Sequence, residues 1–361
     1  MRAASSTASA AIGAIAAIAA IAVIAMVGAT WVSEAGAQSV AGNAAVYSYK
    51  GADRAQRLLD GARREGGVNL YTSMAPTEIG PLAEAFEKKT GVKVNLWRAL
   101  SEGVAQRALA EARGRRQAMD VVETNGPEVE ALAREQVLAA FHSPHLADLP
   151  PASLPRHGMW AADRLSFFVV AFNTNKVRAA DLPKSYEGFL DPKWKGRLAM
   201  EATDSEWMAG VVKTWGEPRG MDFMRKLGAM KPEMRKGHVL LAQLIASGEI
   251  EVGLTAYHAN AQSFKARGAP LDWAPVEPVI ARPQGIGVAA NAPHPHAALL
   301  FVDFMLSPEA QELLAKMGRS PASRAVKTDT SSLNFVMSDA AVILDENDKW
   351  QQLWDKLFMA K

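Results

Sequence analysis

The sequence predicts an α/β protein of two lobes with a ligand cleft between them. Three observations lead there. Short β-rich runs alternate with helical segments from Val68 onward. That alternation is interrupted near Phe167 by a second set of such segments and then resumes. Polar residues collect just after the runs that read as strands. Alternating strand and helix builds a parallel sheet covered by helices on both faces. Ligands of open sheets of this kind sit beyond the carboxyl ends of the strands.

The elements follow in order. "VNLYTS" reads as a strand, and "PTEIGPLAEAFEKKTG" places Ile79, Leu82 and Phe86 on one helical face and stops at Gly91. "VKVNLW" alternates as a strand does. "SEGVAQRALAEARG" opens at Ser101, a residue suited to an N-cap, and ends at Gly114. "MDVVET" is a buried-strand run followed by a helix through "PEVEALARE". After a proline-rich stretch from Leu149 to Pro155 comes "LSFFVVAFNT", the most apolar strand of the chain and the first crossing into the second lobe. There "LPKSYEGFLDPKWKGRLAME" gives a loop, a short helix and a strand. Helices follow through "SEWMAGVVKTW", "GMDFMRKLGAM" and "HVLLAQLIASG". Next comes the strand of "IEVGLTAYHAN", with a helix after it. "WAPVEPVIARPQGIGVAA" reads as the return crossing, "PHAALLFVDFMLSPEAQELLAKMG" as a helix pair, and "NDKWQQLWDKLFMA" as a last amphipathic helix. The expected organisation is therefore lobe 1 from 38–165 and 284–340, lobe 2 from 166–283, and a C-terminal helix over 341–361.

Composition bounds the function. The 361 residues are 49% hydrophobic and 22% charged, with a formal net charge of +2, an ordinary globular balance. Charges of both signs are interspersed and no basic arm is present, so nucleic acid is not an expected partner. Arg2, an apolar run from Ala10 to Ala29, and the small residues Ala35 and Ala37 read as a secretory signal peptide over 1–37. The run is also long enough to span a bilayer, which leaves a retained anchor as the other reading. The chain contains no cysteine, so there is no disulfide and no lipoprotein acylation site. The expected product is a periplasmic, soluble monomer.

"EGGVNLYTS", "FEKKTGVKVNLWR", "AMDVVETN", "FNTNKV", "DPKWKGRLAME", "ASGEIEVGLTAYHA", "KARGAPLDW" and "NAPHPHAALLFVDFMLSPEAQELLAKMGRSP" occur in that order. Together they resemble the ferric-iron-binding-like family of solute-binding proteins of ABC importers, over about residues 55–326. The resemblance implies a type II periplasmic binding protein fold. It also implies a two-lobed trap that closes on a small molecule or ion and delivers it to the ABC permease and ATPase subunits. No enzyme activity and no resident cofactor are implied; Fe3+ enters only as a possible transported ligand.

Candidate ligand-binding residues are those at the strand ends. Lobe 1 offers Tyr71, Thr72, Ser73, Arg98, Ser101, Thr124 and Asn125; lobe 2 offers Thr203, Asp204, Ser205 and Tyr257. The hydroxyl residues stand just before helices and read either as plain N-caps or as helix N-termini converging on an anion. Arg98 is the guanidinium suited to grip a carboxylate or phosphate. In the iron-binding members of the resembled family, two adjacent tyrosines follow the strand matched by "EVGLTA". Here Tyr257 matches one and His258 stands at the other, so a metal pair of Tyr257 and His258 is implied but incomplete. Two ligand readings stay open, a small organic anion or oxyanion, and ferric iron. Trp207 reads as core or as a lid over a ligand. "GIGVAA" does not open a helix and is no dinucleotide motif. His294 and His296 read as structural. No nucleophile–base set appears.

Overall fold

A computed structural model describes residues 41–360. The expected signal segment, residues 1–37, lies outside the described residues. The first sheet is built from β1 (Gly67–Thr72), β2 (Lys93–Arg98), β3 (Val121–Asn125), β4 (Leu138–Ala139), the first half of β5 (Ala161–Asn173), and later strands of the chain. Its helices are α1 (41–48), α2 (Arg54–Glu65), α3 (Pro76–Thr90), α4 (Ser101–Arg113) and α5 (Gly126–Arg134). β1 runs parallel to both β2 and β3, as the strand–helix alternation requires.

The second sheet contains the other half of β5, with β6 (Leu198–Glu201), β7 (Glu233–Arg235), β8 (Val252–Tyr257) and β9 (Leu271–Ala274). It carries α6 (Ser205–Trp215), α7 (Glu217–Ala229), α8 (His238–Ser247) and α9 (His258–Ala266). The chain returns through β10 (Val279–Ala289), α10 (Pro295–Leu306), α11 (Pro308–Lys316), β11 (Ser320–Pro321) and β12 (Phe335–Met337). The strand order is β2-β1-β3-β10-β5-β8-β6-β7. β5 joins the halves: residues up to Phe167 pair with β10, and Phe168 onward pair with β8 and β9.

Each half has its own core. Leu70, Phe86, Val121, Ile286 and Phe301 belong to one cluster, and Phe168, Met200, Trp207, Leu254 and Trp354 to another. Full burial of such side chains contributes roughly 1.5–3 kcal/mol each. Trp207 is completely buried and its indole N–H donates to the Tyr186 hydroxyl at 3.3 Å, so it packs as core.

The C-terminal segment divides into α12 (Ala340–Asp345) and α13 (Asn347–Trp354). These serve different halves. α12 packs on α5, where Arg134 pairs with Asp345. α13 packs on α6, and the Trp354 indole donates to the Ala202 carbonyl at 2.8 Å. The segment is a strap across both lobes, where the sequence suggested one terminal helix.

A buried charge network lies under the strand ends of lobe 1. Arg164 pairs with Glu123, which also accepts from the Thr72 hydroxyl. Asp163 beside it is fully buried, and neither of its carboxylate oxygens has a hydrogen-bond partner. Burial pushes its carboxyl up to about 8, and Arg164 offsets only part of this. In the unfolded chain the group ionises near its ordinary value of about 3.9. Between the two values the native state keeps a proton that the unfolded state has released, so stability falls as pH rises through that window. Asp163→Asn is expected to match the parent near pH 4 and to exceed it by roughly 1–3 kcal/mol near pH 9, as read by urea unfolding at both pH values.

Candidate functional site

The carboxyl ends of β1, β2 and β3 in one lobe and of β6, β7 and β8 in the other each lead into a helix: α3, α4, α5, α6, α8 and α9 respectively. None of these six helices has a side-chain N-cap. Ser101 is the first helical residue of α4, and the N-cap is Leu100, so the expected Ser101 cap is replaced by an apolar residue that leaves the first-turn N–H groups uncovered. The six ends differ in charge. Glu78, Glu102, Glu128 and Glu206 stand in the first turns of α3, α4, α5 and α6, whereas α8 and α9 carry no acid there. An acidic residue in the first turn already satisfies the positive end of the helix dipole. The end still open to an added anion is that of α9, which begins with His258; at α8, which begins with His238, the Gly237 N–H already donates to the Glu201 carboxylate.

Between the lobes the floor is made by three adjacent strands. Ser166 of β5 lies opposite Arg282 of β10, and β11 pairs on its other side through Leu165 and Arg164, which sets Arg319 just before that ladder. Both arginines reach out to an acid. Arg282 donates to Glu206 of α6 at 2.5 Å and to the Tyr257 hydroxyl at 2.6 Å. Arg319 pairs with Glu78 of α3. Partly buried guanidiniums are held this way because leaving one unpaired away from water is costly.

The adjacent residues Tyr257 and His258 face different surroundings. The Tyr257 ring stacks on His238 with centroids 3.5 Å apart and planes 16° from parallel. Burial pushes its phenol well above the ordinary range, against the pull of Arg282, so the hydroxyl keeps its proton at neutral pH. His258 is buried, sits edge-on to Trp273, and places Nε2 3.0 Å from Asp329 and Nδ1 3.4 Å from the Ser320 hydroxyl. Burial lowers its imidazole pKa despite Asp329.

His258 is also the inner wall of a cavity of about 720 Å³ between α9 of lobe 2 and the α11–β11 and 327–329 segments of lobe 1. Arg267, Lys316, Arg319 and Lys327 line it, with Asp329 as the acid among them. Its volume suits a small organic ligand.

The other sequence-predicted residues are distributed as follows. Tyr71 is buried and donates to Glu111 of α4 at 2.6 Å; burial and that bond push its phenol up to about 12. Thr72 is tied to Glu123. Ser73 is half-buried, and its N–H donates to the Glu123 carbonyl. Arg98 lies exposed at the end of edge strand β2 and donates to the Met74 carbonyl at 3.1 Å. Ser101 and Asn125 are half-buried, and Thr124 is buried with its hydroxyl unpartnered. In lobe 2, Thr203 donates to Glu201 through both N–H and hydroxyl at 2.6 and 2.7 Å. The Ser205 hydroxyl turns to Gln351 of α13 at 3.3 Å. Asp204 is buried, and burial raises its carboxyl pKa. Tyr257 and Asp204 are thus both beside His238, while the hydroxyls of Thr72, Thr203 and Ser205 are spent on partners within the fold. Sequence reasoning missed Arg267, Lys316, Arg319 and Lys327. Their signal was present in "KARGAP" and "KMGRSPASRAVK", two basic runs that only the fold brings to one cavity.

The model of a bacterial extracellular solute-binding protein matches residues 68–320. Iron uptake protein A1 of Synechocystis is 24% identical over 317 residues, 77% of this chain and 86% of that protein. A putative 2-aminoethylphosphonate-binding periplasmic protein of Salmonella typhimurium is 26% identical over 283 residues, 75% of this chain and 81% of the relative. Among solved structures, iron-bound HitA from Pseudomonas aeruginosa aligns with a TM-score of 0.68 at 25% identity, covering 81% of this chain and 99% of that one. The chain belongs to the bacterial extracellular solute-binding proteins and has the two-lobed type II periplasmic binding fold.

Proposed function

We propose that this protein captures a small organic anion or oxyanion between its lobes and hands it to an ABC permease. The observation that carries the reading is the basic cavity beside His258. It draws Arg267 from lobe 2 and Lys316, Arg319 and Lys327 from lobe 1. Lys316 is exposed and Lys327 likewise, so neither charge is spent within the fold. A ligand held by groups of both lobes favours the closed state by its differential affinity. The α9 end adds an N-terminus without an acidic residue in its first turn. The relative named for 2-aminoethylphosphonate is in keeping with an anionic ligand.

Ferric iron is the second reading, favoured by the relatives named for iron and by Tyr257 at the end of β8. Two features weigh against it. The Tyr257 hydroxyl is engaged by Arg282 and its phenol resists ionisation, and His258 is committed to Asp329. Fe(III) needs the anionic phenolate.

Three outcomes are expected. In a thermal-shift series of carboxylates, phosphonates and phosphate esters, at least one anion raises the melting temperature. Calorimetry with that anion shows Lys316→Ala combined with Lys327→Ala weakening it by about tenfold or more, since two charge-assisted contacts are lost. An affinity unchanged by the double substitution would remove the cavity from the reading. On titration with ferric citrate, the visible spectrum is expected to stay flat. A charge-transfer band that grows to one equivalent and vanishes in Tyr257→Phe would establish the iron reading instead.

A further inference from the structure

Beside Tyr257, through the stacked His238 ring, lies a patch opposite in character to the basic cavity. Glu201 ends β6, Asp204 is the N-cap of α6, and His238 opens α8. Each offers one oxygen or nitrogen, and these atoms all lie within 4.8 Å of one another. Glu201 is fixed rigidly: its carboxylate accepts from the Thr203 N–H and hydroxyl and from the Gly237 N–H at 2.8 Å, which ties the β6–α6 loop to the start of α8. Asp204 is different. Its residue exposure is 1%, yet neither carboxylate oxygen makes a hydrogen bond of good geometry. His238 places Nε2 3.2 Å from the Asp204 Oδ1, and its own Nδ1 is buried without a partner. Arg282, the guanidinium of the same region, is taken by Glu206 and Tyr257.

A buried carboxylate whose neighbours, the His238 imidazole at 3.2 Å and the Thr255 hydroxyl, make no hydrogen bond of good geometry to it is poorly satisfied by the protein alone. We infer that Glu201, Asp204 and His238 form a site for a divalent metal ion of the zinc, cobalt or manganese class. Two donor atoms bound to one such ion at about 2.1 Å lie roughly 3.0–3.4 Å apart, according to octahedral or tetrahedral geometry. The Asp204–His238 separation of 3.2 Å falls within that span. Two carboxylates neutralise a divalent charge, and an imidazole beside carboxylate oxygen is a borderline donor set that suits these ions. The three ligands come from one lobe, so the ion binds before closure. The Tyr257 ring, stacked on His238, fixes the plane of the imidazole. This site shares no ligand with the Tyr257–His258 pair, and it stands whether or not the solute is an anion.

The test uses the purified full-length protein stripped with a chelator and titrated with Zn2+, Mn2+ and Co2+ in the absence of any solute. One equivalent of at least one ion is expected, with a visible d–d spectrum for Co2+ showing nitrogen and oxygen ligation. Asp204→Asn, which keeps the shape of the side chain, is expected to weaken binding by about 100-fold or more, and His238→Gln to do the same and to alter the Co2+ spectrum. His145→Ala, which removes an imidazole elsewhere, retains the equivalent. Failure of the stripped parent protein to bind any of the three ions would overturn the inference. So would an undiminished equivalent in folded Asp204→Asn, because the ion would then be held by other groups.

Discussion

Strand β5 hydrogen-bonds into one sheet as far as Phe167 and into another from Phe168, and the arrangement of the cleft follows from that change of partner. A single strand shared by two sheets forces their carboxyl ends to face each other across its midpoint. Ser166, Arg282 of β10 and Arg319 beside β11 become neighbours there for no reason visible in their sequence positions. Each arginine is then anchored to a different first-turn glutamate, Arg282 to Glu206 in lobe 2 and Arg319 to Glu78 in lobe 1. These pairs give the junction its charge order. On one side Arg282 and His238 hold Tyr257; on the other, His258 pairs with Asp329 at the wall of a cavity lined by four basic side chains.

This segregation is sharper than net charge suggests, since the chain carries only +2 overall. A buried group responds to what lies within a few ångströms, where the low local dielectric makes each charge count. The first-turn glutamates of α3, α4, α5 and α6 use up the positive helix ends they occupy. The α9 end is left for the basic cavity, and the α8 end for His238. The C-terminal strap, from α12 on lobe 1 to α13 on lobe 2, runs across both lobes and holds the Ala202 carbonyl next to the Glu201–Asp204 loop. It couples the position of that loop to the packing of the last helix.

Much of the fold was legible in the sequence. The βα units, the apolar crossing strand and the helix pair split at Pro308 all follow from periodicity and from turn residues, which are local signals. Strand ends were legible too, and so was the general location of a cleft. The partners of individual side chains were not. Ser205 faces α13, Tyr71 faces α4, and His258 turns to Asp329, 71 positions away. Such choices depend on long-range packing that a hydroxyl or a ring at a strand end does not record. Arg98 stood out as an isolated guanidinium, yet the basic cluster is made by residues from two segments about fifty positions apart. Ser101 failed as an N-cap because α4 begins one residue earlier than its hydroxyl suggested.

The most direct test of capture by hinge closure is the distance between the lobes. The chain has no cysteine, so Leu100→Cys at the start of α4 and Val239→Cys at the start of α8 give two unique labelling sites; both residues are exposed, at 76% and 62%. Pulsed electron–electron resonance between spin labels at these sites should show one distance distribution without solute and a shorter one with a saturating anion. Identical distributions in the two states, with the anion shown to be bound, would contradict capture between the lobes.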